Sequence, residues 1–212
     1  MGIRASGAHP WELNTAMASE HHDPYAGVPM VNHGRRTTYM VLLRGINVGG
    51  AHRLAMADLH AVCAAAGCTD VRTYIQSGNV VLSSAQPSAN LTVELERRIS
   101  THAGFAVPVV VRTSVEWASV VRRCPFDTTV DPTKLVVWFA SGSASTESVA
   151  QIESLDVGAE RCVAVGSEAY LWLPQGQAGS KLVQALGRTP FGKASTARNW
   201  RTILALDEMA TS

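Results

Sequence analysis

From Thr37 onward the apolar residues fall into blocks. Their spacing switches between the two-residue period of a strand and the 3.6-residue period of a helix. Tyr39–Leu43 is a near-continuous apolar run closed by Arg44-Gly45, the pattern of a strand buried on both faces. Leu54–Ala66 follows with Met56, Leu59, Cys63 and Ala66 at helical spacing, and Gly67 supplies a stop. Val71–Gln76 and Asn79–Ser83 are β-rich and meet at Ser77-Gly78, which predicts a hairpin. Leu91–Ala103 carries Leu91, Leu95, Ile99 and Ala103 along one stripe, with Asn90 placed as its cap. Val107–Val111 predicts a fourth strand. Strand, helix, hairpin, helix, strand is the order of a ferredoxin-like split βαβ unit.

The rest of the chain reads as a looser copy. A helix near Ser114–Arg123 links the halves, Lys134–Ala140 is an apolar strand, and Thr146–Leu155 predicts a helix. Arg161–Val165 and Ala169–Leu173 flank a turn at Gly166-Ser167, a second hairpin. Lys181–Leu186 and Thr196–Leu206 predict the last helices. The pattern places a closing strand near Thr189–Phe191, weakened by Pro190. The expected fold class is α/β (α+β), two ferredoxin-like halves with antiparallel-rich sheets and packed helices. They span residues 37–113 and 114–212, behind a flexible extension over residues 1–36 that lacks an apolar period.

Composition narrows the function classes. The 212 residues are 46% apolar and 17% charged, a globular balance. A net charge of +1 supplies no global field for nucleic acid or an anionic membrane, so any anion site must be local. Cys63, Cys68, Cys124 and Cys162 form no CxxC pair or zinc-ligand spacing, which points to inert thiols in a reducing compartment. No apolar run has the length of a membrane span and no signal-peptide core opens the chain, so the expected location is the cytoplasm.

Three segments carry chemistry: Arg44-Gly45-Ile46-Asn47-Val48-Gly49-Gly50 after the first strand, Tyr74-Ile75-Gln76-Ser77-Gly78-Asn79-Val80 across the first hairpin, and Thr196-Ala197-Arg198-Asn199-Trp200 near the C-terminus. With these motifs in this order and rough spacing, residues 37 to about 207 resemble domain-of-unknown-function family 1697. The resemblance implies that family's fold, two ferredoxin-like halves, and supplies no reaction.

In a ferredoxin-like half, the loop leaving the first strand and the hairpin after the second lie at the same end of the sheet. That brings Arg44 and Asn47 toward Gln76, Ser77 and Asn79. The expected site is a pocket for a small anionic ligand bearing a phosphate or carboxylate. Arg44 offers a planar donor fork, Asn47 and Asn79 donate and accept, and Gly45, Gly49, Gly50 and Gly78 let backbone approach closely. Arg198 and Asn199 are expected in a first helical turn, where free N–H groups favour anions. The competing reading is structural: a Ser-Gly-Asn turn serves backbone geometry, and Arg44 caps carbonyls or pairs with Asp58 or Asp70.

Other chemistries fit less well. Gly187–Ala194 nearly spells a P-loop, but Ala194 stands where a magnesium-holding hydroxyl is needed, and the segment follows a helix. No motif implies a cofactor or metal. The main alternative is an enzyme using the same pocket, with His52 or Ser77 reacting and Asp58 or His60 supporting His52. A third reading is a nucleic-acid or protein interaction module on an open sheet face. Nucleic acid is the weaker partner, because Trp138, Phe139, Tyr170 and Trp172 lack interleaved basic residues. Oligomeric state is not legible in the sequence.

Overall fold

The computed structural model describes residues 35–50, 52–129, 131–141 and 157–212, all within one compact unit, His33–Ser212. The extension, apart from Arg35 and Arg36, and the helix expected over Thr146–Leu155 lie outside the described residues.

The first half runs β1 (Thr37–Leu43), α1 (Met56–Ala65), β2 (Thr69–Tyr74), β3 (Asn79–Ser84), α2 (Ser88–Ala103) and β4 (Val109–Thr113). Its sheet has the order β2-β3-β1-β4, with each neighbouring pair antiparallel. Helix α3 (Ser114–Arg122) leads into β5 (Leu135–Ala140), β6 (Arg161–Val165) and β7 (Glu168–Trp172). Then come α4 (Lys181–Arg188), the short α5 (Pro190–Lys193), β8 (Ser195–Asn199) and α6 (Trp200–Thr211). The second sheet has the order β6-β7-β5-β8, the same permutation as the first and likewise antiparallel. The fold is α+β with two ferredoxin-like halves.

Local chemistry sets most boundaries. Helix α1 ends in a Schellman turn: Gly67 takes φ 81°, its N–H reaches the Ala64 carbonyl, and the Cys68 N–H reaches that of Cys63. Helix α2 begins at Ser88 with Pro87 as its cap, three residues before the expected Asn90. The Pro87 carbonyl accepts from the Leu91 N–H at 3.0 Å, the first turn's hydrogen bond. Helix α3 opens on a capping box between Thr113 and Glu116.

The C-terminal region departs from expectation. Thr196–Asn199 is not helical; it belongs to β8, paired with β5 through Val136↔Asn199 and Val137↔Arg198. The closing strand is therefore here and not at Thr189–Phe191. Thr189 instead caps α5, its hydroxyl accepting from the Gly192 N–H at 3.1 Å. The helix starts at Trp200, with Asn199 as N-cap accepting from the Thr202 N–H at 3.0 Å.

Alternation along the central strands explains the layering. In β1, Tyr39, Val41 and Leu43 face a core with Leu59 and Cys63 of α1 and Leu91, Leu95 and Ile99 of α2. Met40 and Leu42 point the other way, into a core built with Trp117 and Val120 of α3 and Trp200, Ile203 and Leu206 of α6. Leu135, Val137 and Phe139 of β5 enter that same central core. Val136, Trp138 and Ala140 face a third cluster with Leu182, Leu186 and Phe191. Both faces of the central strands β1 and β5 are thus covered, so the open sheet face of the third reading does not lie there. The aromatics that reading would have used are core: Phe139 stacks on Trp117 at 5.1 Å, and the Tyr170 hydroxyl donates to the Val120 carbonyl at 2.8 Å.

Candidate functional site

Because β1 and β2 both run antiparallel to β3, they point the same way, and the loops leaving them share one end of the sheet. The Asn47 side chain ties these loops together. Its Nδ2 donates to the Gln76 carbonyl at 2.8 Å and to the Leu54 carbonyl at 2.9 Å, and its Oδ1 accepts from the Leu54 N–H at 2.9 Å. The backbone here is dense in left-handed residues: Gly45, Asn47, Gly49, Gly50, His52, Ile75 and Gly78 all have positive φ. At Gly78 space also demands glycine. A Cβ would come within 2.7 Å of Leu43 Cβ and 2.8 Å of Ile46 Cδ1.

Strand β8 carries Arg198 into the same end, where its side chain is buried (7% exposed). The Nε donates to Asn79 Oδ1. Nη1 donates to Thr196 Oγ1 at 2.8 Å and the Ala197 carbonyl at 2.7 Å. Nη2 reaches the carbonyls of Leu43, Ser77 and Gly78 at 2.7, 3.0 and 3.2 Å. Burial pushes the guanidinium down to about 10, which leaves it charged at neutral pH and surrounded by carbonyl dipoles. Asn79 in turn donates from Nδ2 to the Tyr74 carbonyl and Ser77 Oγ, both at 3.0 Å. The expected position of Arg198 and Asn199 in a first helical turn is corrected. Arg198 is a buried strand residue clasping the first half's hairpin, and Asn199 is a helix cap.

Arg44 does not pair with Asp58 or Asp70. Its Nη1 donates to the Lys193 carbonyl at the end of α5, so it too joins the halves. Asp58 faces His102 at 3.5 Å, and His52 lies against the Phe105 ring with centroids 4.5 Å apart. Neither Asp58 nor His60 is recorded bonding to His52, contrary to the support expected for it.

The first half answers with its own arginine, reaching into the second. Arg112 occupies the fourth position of β4, as Arg198 does in β8, and each is followed by the cap of a helix. Arg112 Nη2 donates to the carbonyl of Ala140, the last residue of β5, at 2.8 Å. Arg198 donates to that of Leu43, the last residue of β1. Arg112 Nε meets Glu168 Oε1 at 3.0 Å, and Glu168 opens β7 as Asn79 opens β3. The exchange is reciprocal, like an isologous contact between two subunits. At the second half's hairpin the partner to arginine is a carboxylate in place of an amide.

A cavity of about 620 Å³ opens beside the Asn47 bridge, lined by Asn47, Gly50, Arg53, Leu54, Ala55, Met56 and Gln76. Arg53 is exposed and makes no hydrogen bond or ion pair recorded among the described residues. Helix α1 starts at this wall without a side-chain cap. The sequence reading missed Arg53. Its signal was an unclaimed cation three residues ahead of a helix. No cluster of three or more His, Cys, Asp or Glu able to hold a metal occurs among the described residues.

These features define a tandem ferredoxin-like protein whose signature loops form the joint between its halves and border one cavity. The chain belongs to the family described as protein of unknown function (DUF1697), which matches residues 36–170. The third motif, in β8, lies beyond the matched span. The conserved bacterial protein SP0830 from Streptococcus pneumoniae is a similar solved structure. It has 25% identity and a TM-score of 0.69, and the match covers 82% of this chain and 99% of that one. An unknown protein from Galdieria sulphuraria matches at 13% identity and a TM-score of 0.24, over 77% of this chain and 96% of that one. No functionally curated protein matches. Among the described residues, no helix is long and apolar enough to cross a membrane.

Proposed function

We propose that the protein binds a small anion, phosphate- or carboxylate-bearing, in the cavity beside the Asn47 bridge. The observation that carries this reading is Arg53, an exposed arginine on the wall of a cavity sized for a small ligand, engaged by no acceptor among the described residues. A guanidinium fork suits carboxylate and phosphate oxygens. The unbonded N–H groups at the start of α1 add to the same preference. The Gly50 backbone and the Gln76 amide supply further donors along the lining. Arg44, Asn79 and Arg198 act from behind, holding the loops that shape the cavity. Asn199 serves the joint as the cap of α6.

Binding is favoured over turnover by the partners of the candidate reactive groups. The Ser77 hydroxyl accepts from Asn79, and His52 rests on Phe105. We place the protein in the cytoplasm, a reading supported by the buried thiols of Cys63 and Cys68, neither of them in a disulfide.

Calorimetry of the full chain with inorganic phosphate and with acetate tests the reading. Arg53→Ala should abolish the binding heat while leaving the melting temperature within about 2 °C, as for a surface substitution. Equal binding by wild type and Arg53→Ala, or no heat from either anion, would sink it.

A further inference from the structure

Two large aliphatic side chains stand in solvent on the loops that frame this cavity: Val48 at 69% and Ile75 at 51% exposure. Val48 follows Asn47, and Ile75 precedes Gln76. Asn47 and Gln76 both line the cavity and are bonded to each other at 2.8 Å. Single exposed aliphatics are ordinary. Ile75 is not, because its φ is +45°, a left-handed conformation that crowds a β-branched side chain against its own backbone. Elsewhere on these loops the left-handed positions fall mostly to residues that tolerate them, Gly45, Asn47, Gly49, Gly50 and Gly78. At Ile75 burial in the fold offsets little of the strain. The cavity lining is itself partly apolar, with Leu54, Ala55 and Met56 beside Arg53.

We propose that Val48 and Ile75 form an apolar lip, so that the cavity selects anions carrying an apolar group over bare ones. This rests on the anion-binding reading above and specifies its ligand class: a phosphate or carboxylate at Arg53 joined to an aromatic or aliphatic body that covers the lip. Strain held at a loop position is a recurrent mark of ligand contacts, and covering exposed aliphatic surface adds affinity in proportion to the area removed from water.

The test compares phenyl phosphate with inorganic phosphate by calorimetry on the full chain. Wild type should bind phenyl phosphate at least about tenfold more tightly, an advantage that grows with the apolar area covered. In Val48→Ser/Ile75→Gly the ratio of the two affinities should fall toward one. Ile75→Gly alone should raise the melting temperature, since glycine accepts this backbone without strain, and this separates loss of the lip from loss of the fold. Equal affinity of wild type for the two phosphates overturns the lip while leaving the anion site standing. So does a ratio unchanged in the double variant. Binding of neither phosphate overturns the anion site and the lip together.

Discussion

Arg198 and Asn79 lie 119 residues apart in the chain, yet the guanidinium Nε of one donates to the amide oxygen of the other in the interior of the protein. The two residues belong to different halves and different sheets. Around that bond each nitrogen of the guanidinium has a protein acceptor. The second and third sequence motifs are therefore two sides of one contact.

Loss of this contact should be expensive. Arg198→Ala takes the guanidinium donors away from Asn79 Oδ1 and from the carbonyls of Leu43, Ser77 and Gly78 and should cost about 3–5 kcal/mol in urea unfolding, the range for breaking a buried charged network. Arg198→Lys should recover less than half of that, since an ammonium cannot reproduce the planar fork. A loss under about 1 kcal/mol for Arg198→Ala would show that the network contributes little beyond what water supplies.

The reciprocal contact differs in being ionic. The side chains of Arg112 and Glu168 are 13% and 5% exposed, so salt should screen them weakly. A double-mutant cycle with Arg112→Ala and Glu168→Gln should return a coupling of about 1–3 kcal/mol that changes little between low and high salt. A coupling that vanished in high salt would place the pair in solvent.

Two glycines should respond unequally to a methyl group. At Gly192 an added Cβ would lie 2.0 Å from the Leu186 carbonyl oxygen, where backbone meets backbone between α4 and α5. Gly192→Ala should therefore destabilise by about 3 kcal/mol or more. At Gly49 nothing lies within 4 Å, and Gly49→Ala should cost only the strain of its left-handed φ, about 1 kcal/mol. Thermal melts of the two variants decide it. Equal shifts would contradict the close approach of α4 and α5.

Burial pushes the Cys63 thiol up to about 12 from an ordinary 9.0, with Cys68 adding to the effect. Above pH 9 the unfolded chain gives up this proton first, so the folded state holds more protons and stability falls with rising pH. The contribution is complete below about pH 9 and lost as pH climbs toward about 12. Between about pH 8 and 10.5 the melting temperature of Cys63→Ala should decline less steeply than that of wild type. Parallel slopes would remove Cys63 as the source.

Much of this fold was legible in hydrophobic spacing. Tyr39–Leu43 and Lys134–Ala140 announced central strands because both of their faces are buried. Leu91, Leu95 and Ile99 announced α2 because only one of its faces is. β8 escaped for the converse reason: its burial is carried by Ser195, Thr196 and Arg198, polar residues whose hydrogen bonds replace the apolar signal. A clue was present in the repeated order of arginine, capping residue and helix at Arg112-Thr113 and Arg198-Asn199. Shared placement of the first two motifs followed from strand direction alone, and the Asn47–Gln76 bond realises it. What the sequence could not separate was the arginine that builds the joint from the one that faces the cavity. Arg44, Arg53 and Arg198 look alike until their acceptors are known.

The reciprocal arginines also order events during synthesis. Once Thr113 has left the ribosome, all four strands of the first sheet exist, but Met40, Leu42, Val81 and Val110 face a core whose other members come later in the chain. Arg198 follows 119 residues after Asn79, and the twelve residues of α6 come last of all. The first half is translated early and finished late, so a chain cut short before β8 carries a central core that lacks Trp200, Ile203 and Leu206 and a hairpin whose clasp was never made.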